Sequence, residues 1–397
     1  MLSERVKRMS PSKIIEFTNR TRDMLDRGIP VINMTIGEPD FDTPDNIKKA
    51  GIAAVEAGKT KYTTPAGLPE LRKIICEKLL ADDHVVYTAD EICVSAGARQ
   101  SVFEAIFATC DENCEVIIPI PAWVSYEEMV KLSGADPVLV PMDREDGYEL
   151  DVEKIAAAVT PRTRMVILNN PNNPTGRVYA EKSLRALAEL AVEKDFYILS
   201  DEIYEKMIYD GNRHFCLPSV SEEVKEHCIL INGFSKSHAM TGWRVGYAAG
   251  PKEVIAAMAG IQSHLTSSVN EMAQYAAEEA YSGSQEAVLK MTDEYRMRRD
   301  AAIAGINRLP YLKARCPQGT YYILIDVSGL IGKRYADGET MKNSMDIALS
   351  ILENAHVALL PGDAFHAEGN LRMCFASEIP VIEEAMERIG RYLEKIR

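Results

Sequence analysis

The chain has 397 residues, 46% hydrophobic and 26% charged, which implies two or three domains and excludes disorder, collagen-like repetition and a disulfide-stapled miniprotein. Its 45 Lys plus Arg against 59 Asp plus Glu give a net charge of −14, so no nucleic-acid or membrane partner is expected. The eight cysteines are scattered without Cys-x-x-Cys spacing and read as buried thiols, with no metal and no disulfide framework. Residues 1–13 lack the apolar core of a secretory leader, and no apolar stretch approaches the ~18 residues of a membrane span. A cytoplasmic protein is expected.

Taken in chain order, short runs rich in Val and Ile predict strands at 92–95, 115–118, 137–140, 165–168, 197–200, 229–232 and 245–249. Between them lie helix-period segments at 98–108, 124–132, 181–194 and 251–262. This alternation predicts βαβ units, a largely parallel sheet with helices on both faces, and a site beyond the carboxyl ends of the strands. After about residue 285 the pattern changes. A long polar helix, 285–308, precedes a strand at 321–327, a helix at 345–354, strands at 357–360 and 371–375, and a closing helix at 380–396. The segment up to Ile36 carries a strand with no partner nearby in sequence, so it is expected to join this second part.

Ala57-Gly58-Lys59-Thr60 imitates the end of a phosphate-binding P-loop, but the glycine required five positions before Gly58 is Ala53. It reads as a helix C-cap and turn. Four other clusters carry chemistry. Lys236 follows an apolar strand amid small residues and precedes Arg244 by eight positions; a lysine desolvated there can serve as a nucleophile or a base. Asn169-Asn170-Pro171-Asn172-Asn173-Pro174 forces a turned backbone at a strand end and presents Asn amides. Asp201, with Tyr204 three residues on, closes another strand. Ser95-Ala96-Gly97-Ala98-Arg99 turns from strand into helix, where free N–H groups and the helix dipole suit a phosphate.

With these clusters in this order, the sequence resembles the class I/II aminotransferases, pyridoxal-phosphate-dependent enzymes of fold type I. Within them it is most similar to the bacterial aspartate-aminotransferase-like subgroup. The resemblance runs from Pro11-Ser12 to the last helix and includes Ile36-Gly37-Glu38-Pro39, Tyr62-Thr63-Thr64-Pro65, Trp123-Val124-Ser125-Tyr126 and Leu371-Arg372-Met373. It implies a mostly parallel seven-stranded sheet in a large domain, 45–285, and a smaller α+β domain from 1–44 and 286–397. Lys236 would hold the cofactor and move the substrate proton, and Asp201 would pair with the pyridine nitrogen. Tyr204 and Asn173 would bond the ring's phenolic oxygen, and Trp123 would stack on the ring. Gly97, Ala98 and Arg99 would offer N–H groups to the phosphate, with Arg244 as its guanidinium partner. Arg372 would clamp the substrate α-carboxylate while Gly37 closes over it. Tyr62 would reach the phosphate of the partner subunit in a homodimer.

Two positions depart from the family pattern. Many relatives have a serine three residues before the lysine, where this chain has Gly233, so Ser235 or a water would substitute. Aspartate-preferring relatives carry a lysine where this chain has Phe107, which with Tyr322 suits an aromatic or broad side-chain pocket unless Lys13 reaches a distal carboxylate. The expected reaction is transfer of an amino group from an L-amino acid to a 2-oxo acid such as 2-oxoglutarate. The alternative is a cysteine/cystathionine β-lyase on the same cofactor.

Overall fold

The computed structural model describes residues 1–9, 13–334 and 340–396. Pro11-Ser12 and the side chain of Lys13 lie outside what is described. All seven strands expected before residue 285 form, and they join one sheet. Its spatial order is Ile92–Ser95, Gly246–Ala249, Cys228–Gly233, Tyr197–Asp201, Thr163–Asn169, Glu115–Ile120, Asp136–Pro141. The pairings make the sheet parallel throughout except for Gly246–Ala249, which runs antiparallel to both neighbours. That exception has a local cause. A parallel return needs a long crossover, usually through a helix. Residues 234–245 instead fold into tight turns around Lys236, and the chain re-enters the sheet reversed.

The central strands are apolar without alternation because both faces are covered. Val116, Ile117, Met165, Val166, Ile198, Leu199, Ile229 and Ile231 are all fully buried. One face packs on Val102, Ile106 and Met258, from helices Ala98–Thr109 and Lys252–Leu265. The other packs on Leu184, Leu187 and Ala191 of helix Glu181–Lys194. Each such side chain contributes about 1.5–3 kcal/mol. Helix Asp45–Glu56 ends at Ala57, and Gly58 turns the chain at φ +72°, so the P-loop imitation is a helix end.

The second part is built on a four-stranded antiparallel sheet, in the order Leu360–Pro361, Asn370–Cys374, Tyr322–Asp326, Lys313–Ala314. The expected strand at 357–360 is in fact divided between two sheets. Val357–Ala358 pairs in parallel with Ile32–Asn33, whereas Leu360–Pro361 edges the four-stranded sheet, where a proline's missing N–H is tolerated. The N-terminal strand thus finds its partner more than 300 residues away. Helix Glu286–Ile306 is polar on paper, yet Arg298 and Arg299 are buried and paired. Arg298 meets Asp40 at 2.6 Å and lies over Phe41, while Arg299 meets Asp210 at 2.6 Å and lies over Tyr209.

All eight cysteines are free; six are buried, Cys76 is half-buried, and Cys316 is exposed, against the expectation for it. Among the described residues no helix is long and apolar enough to cross a membrane. Phe17, on helix Lys13–Asp26, is 0% exposed in the same apolar cluster as Ile351 and Leu393. Phe17→Ala should therefore lower stability by about 3–5 kcal/mol. Urea unfolding checks this, and an unchanged midpoint would place that helix outside the shared core.

Candidate active site

Trp123, Asn173, Asp201 and Lys236 sit at or just beyond the carboxyl ends of four neighbouring strands, where an open parallel sheet places its site. Asp201 ends its strand and is 5% exposed. The Tyr126 hydroxyl donates to its Oδ2 at 2.6 Å, and the Ile203 N–H donates to Oδ1 at 3.2 Å. Burial pushes the carboxyl up to about 6, and the Tyr126 and Ile203 hydrogen bonds hold it from rising further. Tyr126 stands edge-on to Trp123 at 5.1 Å, and the Arg99 guanidinium covers Trp123 at 4.8 Å.

Lys236 lies in the turns that follow strand Cys228–Gly233. Its ammonium donates to the Gly37 carbonyl at 2.6 Å, and the Tyr321 hydroxyl donates to the same oxygen at 2.9 Å. Burial lowers its pKa to about 8; Arg372 and Arg99 push the same way, against Cys374 and Glu38. The amine is thus brought close to neutrality, the form a nucleophile or base requires.

Gly97 caps helix Ala98–Thr109 at φ +90°, a left-handed conformation that glycine adopts without strain. A Cβ there would strike the Arg244 guanidinium. The amides of Ala98 and Arg99, at the first turn, have no intrahelical partner. Arg244 donates to Thr241 O at 2.9 Å and to Ala96 O at 3.3 Å. Desolvation and the nearby Arg244 charge both lower the Arg99 pKa, so two guanidinium groups crowd one helix N-terminus. That is an anion site.

Arg372 is 5% exposed on strand Asn370–Cys374. It donates to Asn173 Oδ1 at 3.1 Å and to Thr35 O at 3.0 Å, and is held between the rings of Tyr322, 4.2 Å away, and Phe365, 4.7 Å away. Its buried Nε has no partner. Tyr204 is buried alongside, its hydroxyl donating to Tyr322 at 3.3 Å. An amine of lowered pKa, a buried carboxylate, an anion site and a clamp with a spare donor thus adjoin one another.

Residues 29–389 match the family model for aminotransferases of class I and II. The chain belongs to that family. It is 42% identical over 395 residues to the aspartate aminotransferase of Bacillus sp. (strain YM-2), covering 99% of each. It is also 42% identical over 395 residues to the aspartate/prephenate aminotransferase of Thermus thermophilus, covering 99% of this chain and 98% of that one. Among solved structures, the Rhizobium meliloti aspartate aminotransferase superposes with a TM-score of 0.97 at 38% identity, covering 100% of both chains. The fold is fold type I, and the enzyme is a pyridoxal-phosphate-dependent aminotransferase that moves amino groups between amino acids and 2-oxo acids.

The aminotransferase's own residues fit that cofactor. The glycine cradle with Arg99 and Arg244 suits a phosphate, Asp201 suits a cationic ring nitrogen, and Lys236 offers an amine of lowered pKa. The structure brings together Gly37, Gly97, Ala98, Arg99, Trp123, Asn173, Asp201, Tyr204, Lys236, Arg244 and Arg372. Tyr62 stands apart, 88% exposed after helix Asp45–Glu56. The family's serine has no room at position 233, because a Cβ on Gly233 would come 2.8 Å from Gly246 Cα. Phe107 lies roughly 15 Å along its helix from Gly97, 40% exposed and stacked on Phe103 at 5.6 Å.

Sequence reasoning gave no role to Tyr126, Tyr321, Thr35 or Phe365 in this enzyme. Tyr126 was visible only as the fourth residue of a motif, and Thr35 acts through its backbone. Among the described residues, one His/carboxylate group has metal-like spacing, Asp83, Glu205 and His214, with ligand atoms within 4.8 Å of one another. The Lys78 ammonium already fills it, 2.7 Å from Glu205 and 3.1 Å from Asp83. For Lys236, the lowered pKa has a direct consequence. Acetylation of this lysine in the cofactor-free protein should rise with pH to a midpoint near 8, about two units below an ordinary lysine. Peptide mass mapping reads this, and a midpoint near 10 would remove the desolvated amine from the site.

Proposed function

We propose that the enzyme transfers the amino group of L-aspartate to 2-oxoglutarate. The observation that carries the amino-acid and oxo-acid part of this reading is Arg372, a buried guanidinium with one donor unpartnered, held at the edge of the site. Such a fork pairs with a carboxylate in two parallel hydrogen bonds, the common feature of every α-amino acid and 2-oxo acid. The names of the aspartate and aspartate/prephenate aminotransferases support aspartate as the donor.

Bound at Lys236, pyridoxal phosphate supplies an electron sink for charge leaving the substrate Cα. The chain's residues do the rest. Asp201 keeps the ring nitrogen protonated, and Trp123 gives the ring a face to lie on. Gly97, Ala98, Arg99 and Arg244 hold the phosphate, and Tyr204 and Asn173 hydrogen-bond the phenolic oxygen. Lys236, whose amine has a lowered pKa, would hold the cofactor and serve as the base that moves the proton at the substrate Cα. Gly37, from the N-terminal segment, closes over the substrate and keeps water out. We further propose a homodimer in which Tyr62 reaches the partner's phosphate; its exposure, with that of Ile52, Val55 and Leu265, supports a covered face.

Single amino acids, added to the loaded enzyme without an oxo acid and followed by visible absorption, test the reading. Fast conversion by aspartate and glutamate and slow conversion by phenylalanine is the expected result. Inert aspartate with fast phenylalanine would replace the donor by an aromatic amino acid and make Phe107 a specificity residue. Pyruvate and ammonia released from a thioether amino acid would indicate β-elimination instead. Arg372→Ala should raise KM about 100-fold for every amino acid, the loss of a charge-assisted pair. An unchanged KM would remove Arg372 from the carboxylate site.

A further inference from the structure

Tyr126 lies in no role assigned above, yet among the described residues it is the one side chain that donates a hydrogen bond to the Asp201 carboxylate. We propose that Tyr126 is a positioning residue that holds Asp201 ionised and oriented toward the cofactor ring, and sets the angle of Trp123 through the same side chain. The proposal rests on the reading of Asp201 as the partner of the ring nitrogen.

The geometry is specific. Tyr126 is 2% exposed on the second residue of helix Ser125–Ser133, so water cannot replace its hydroxyl. The 2.6 Å separation to Asp201 Oδ2 is that of a charge-assisted hydrogen bond. The ring meets Trp123 nearly at a right angle, 88°, so one residue braces both the carboxylate and the indole. Burial disfavours the phenolate strongly, which leaves the hydroxyl a donor and the carboxylate the acceptor.

Other groups around Asp201 do not substitute. The Ile203 N–H reaches the other oxygen at 3.2 Å. Glu202, the next residue in the chain, raises the Asp201 pKa, and the Lys236 charge, in the turns beyond strand Cys228–Gly233, lowers it less than the Tyr126 hydroxyl does. Tyr204 bonds Tyr322 rather than Asp201. Asn169 and Asn170 donate to the Asp201 main-chain carbonyl, at 2.9 Å and 3.0 Å, and fix the backbone without touching the carboxylate. Removing the phenol oxygen therefore leaves a buried carboxylate with one weak donor.

The test uses Tyr126→Phe, which deletes only that oxygen, Asp201→Asn, and the double variant. The dissociation constant of pyridoxal phosphate is measured from pH 5 to 9 by quenching of tryptophan fluorescence. In the parent the affinity should fall with acid around the Asp201 pKa of about 6. In Tyr126→Phe that midpoint should move up by about one unit, the size of one charge-assisted bond. In the Asp201→Asn background the same change should have no effect within two-fold, because the two residues act as one. Tyrosine 126 replaced by 3-fluorotyrosine, a more acidic phenol that keeps the ring in place, should move the midpoint down. An unmoved midpoint in both Tyr126 variants, or an equal loss in the Asp201→Asn background, overturns the proposal. An Asp201→Asn enzyme with unchanged affinity and pH profile overturns instead the reading of Asp201 on which the proposal stands.

Discussion

The constraint on which this site depends is a carboxylate buried at the end of a central strand. Asp201 needs partners because an ionised group deprived of water otherwise neutralises. The structure supplies them on both sides of the residue. Its side chain takes the Tyr126 hydroxyl, and its carbonyl takes Asn169 Nδ2 at 2.9 Å. Asn169 in turn accepts the Asn173 N–H at 2.7 Å, and Asn173 accepts Arg372 at 3.1 Å. Three hydrogen bonds thus connect the end of the central strand at Asp201 with the Arg372 guanidinium. Two charges of opposite sign, from different sheets, are positioned by one turn of the chain.

The N-terminal segment closes the arrangement from above, and it does so largely with its backbone. The Thr35 carbonyl accepts Arg372, and the Gly37 carbonyl accepts both Lys236 and Tyr321. Gly37 must be small: a Cβ there would collide with the Tyr322 hydroxyl. On either side the segment is anchored, by the pairing of Ile32–Asn33 with Val357–Ala358 and by the Asp40–Arg298 ion pair at 2.6 Å. A strap fixed at both ends with its middle on the reactive amine can respond to what occupies the site without losing its register.

The large sheet was legible in the sequence because strands buried on both faces leave unbroken apolar runs, as at Met165–Leu168 and Ile229–Ile231. Lys236, Asp201 and Gly97 were legible because each follows such a run directly. What escaped was set by contacts between distant segments. Nothing near Gly246–Ala249 announces its reversed direction, which follows from the tightness of the preceding turns. Tyr126 meets Asp201 across 75 residues of sequence. The aromatic walls of Arg372 come from Tyr322, which the sequence suggested only as part of a side-chain pocket with Phe107, and from Phe365, which read as an ordinary core residue. The division of 357–360 between two sheets depends on which edge has room for Pro361.

One environment moves the two central charges in opposite directions. Burial raises Asp201 to about 6 from 3.8 and lowers Lys236 to about 8 from 10.5. By linkage, the penalty on Asp201 grows as pH rises from about 4 through 6 and stays in force above. The penalty on Lys236 is present below about 8 and is lifted as pH rises from there through the unfolded value. Between 6 and 8 both act together, so the cofactor-free site costs the fold most at neutral pH. A ligand with a cationic ring nitrogen relieves the carboxylate, and one that takes the lysine in its neutral form relieves the amine. Both penalties are therefore at full strength between pH 6 and 8, and one molecule that offers a cationic ring nitrogen and takes the lysine in its neutral form would remove both.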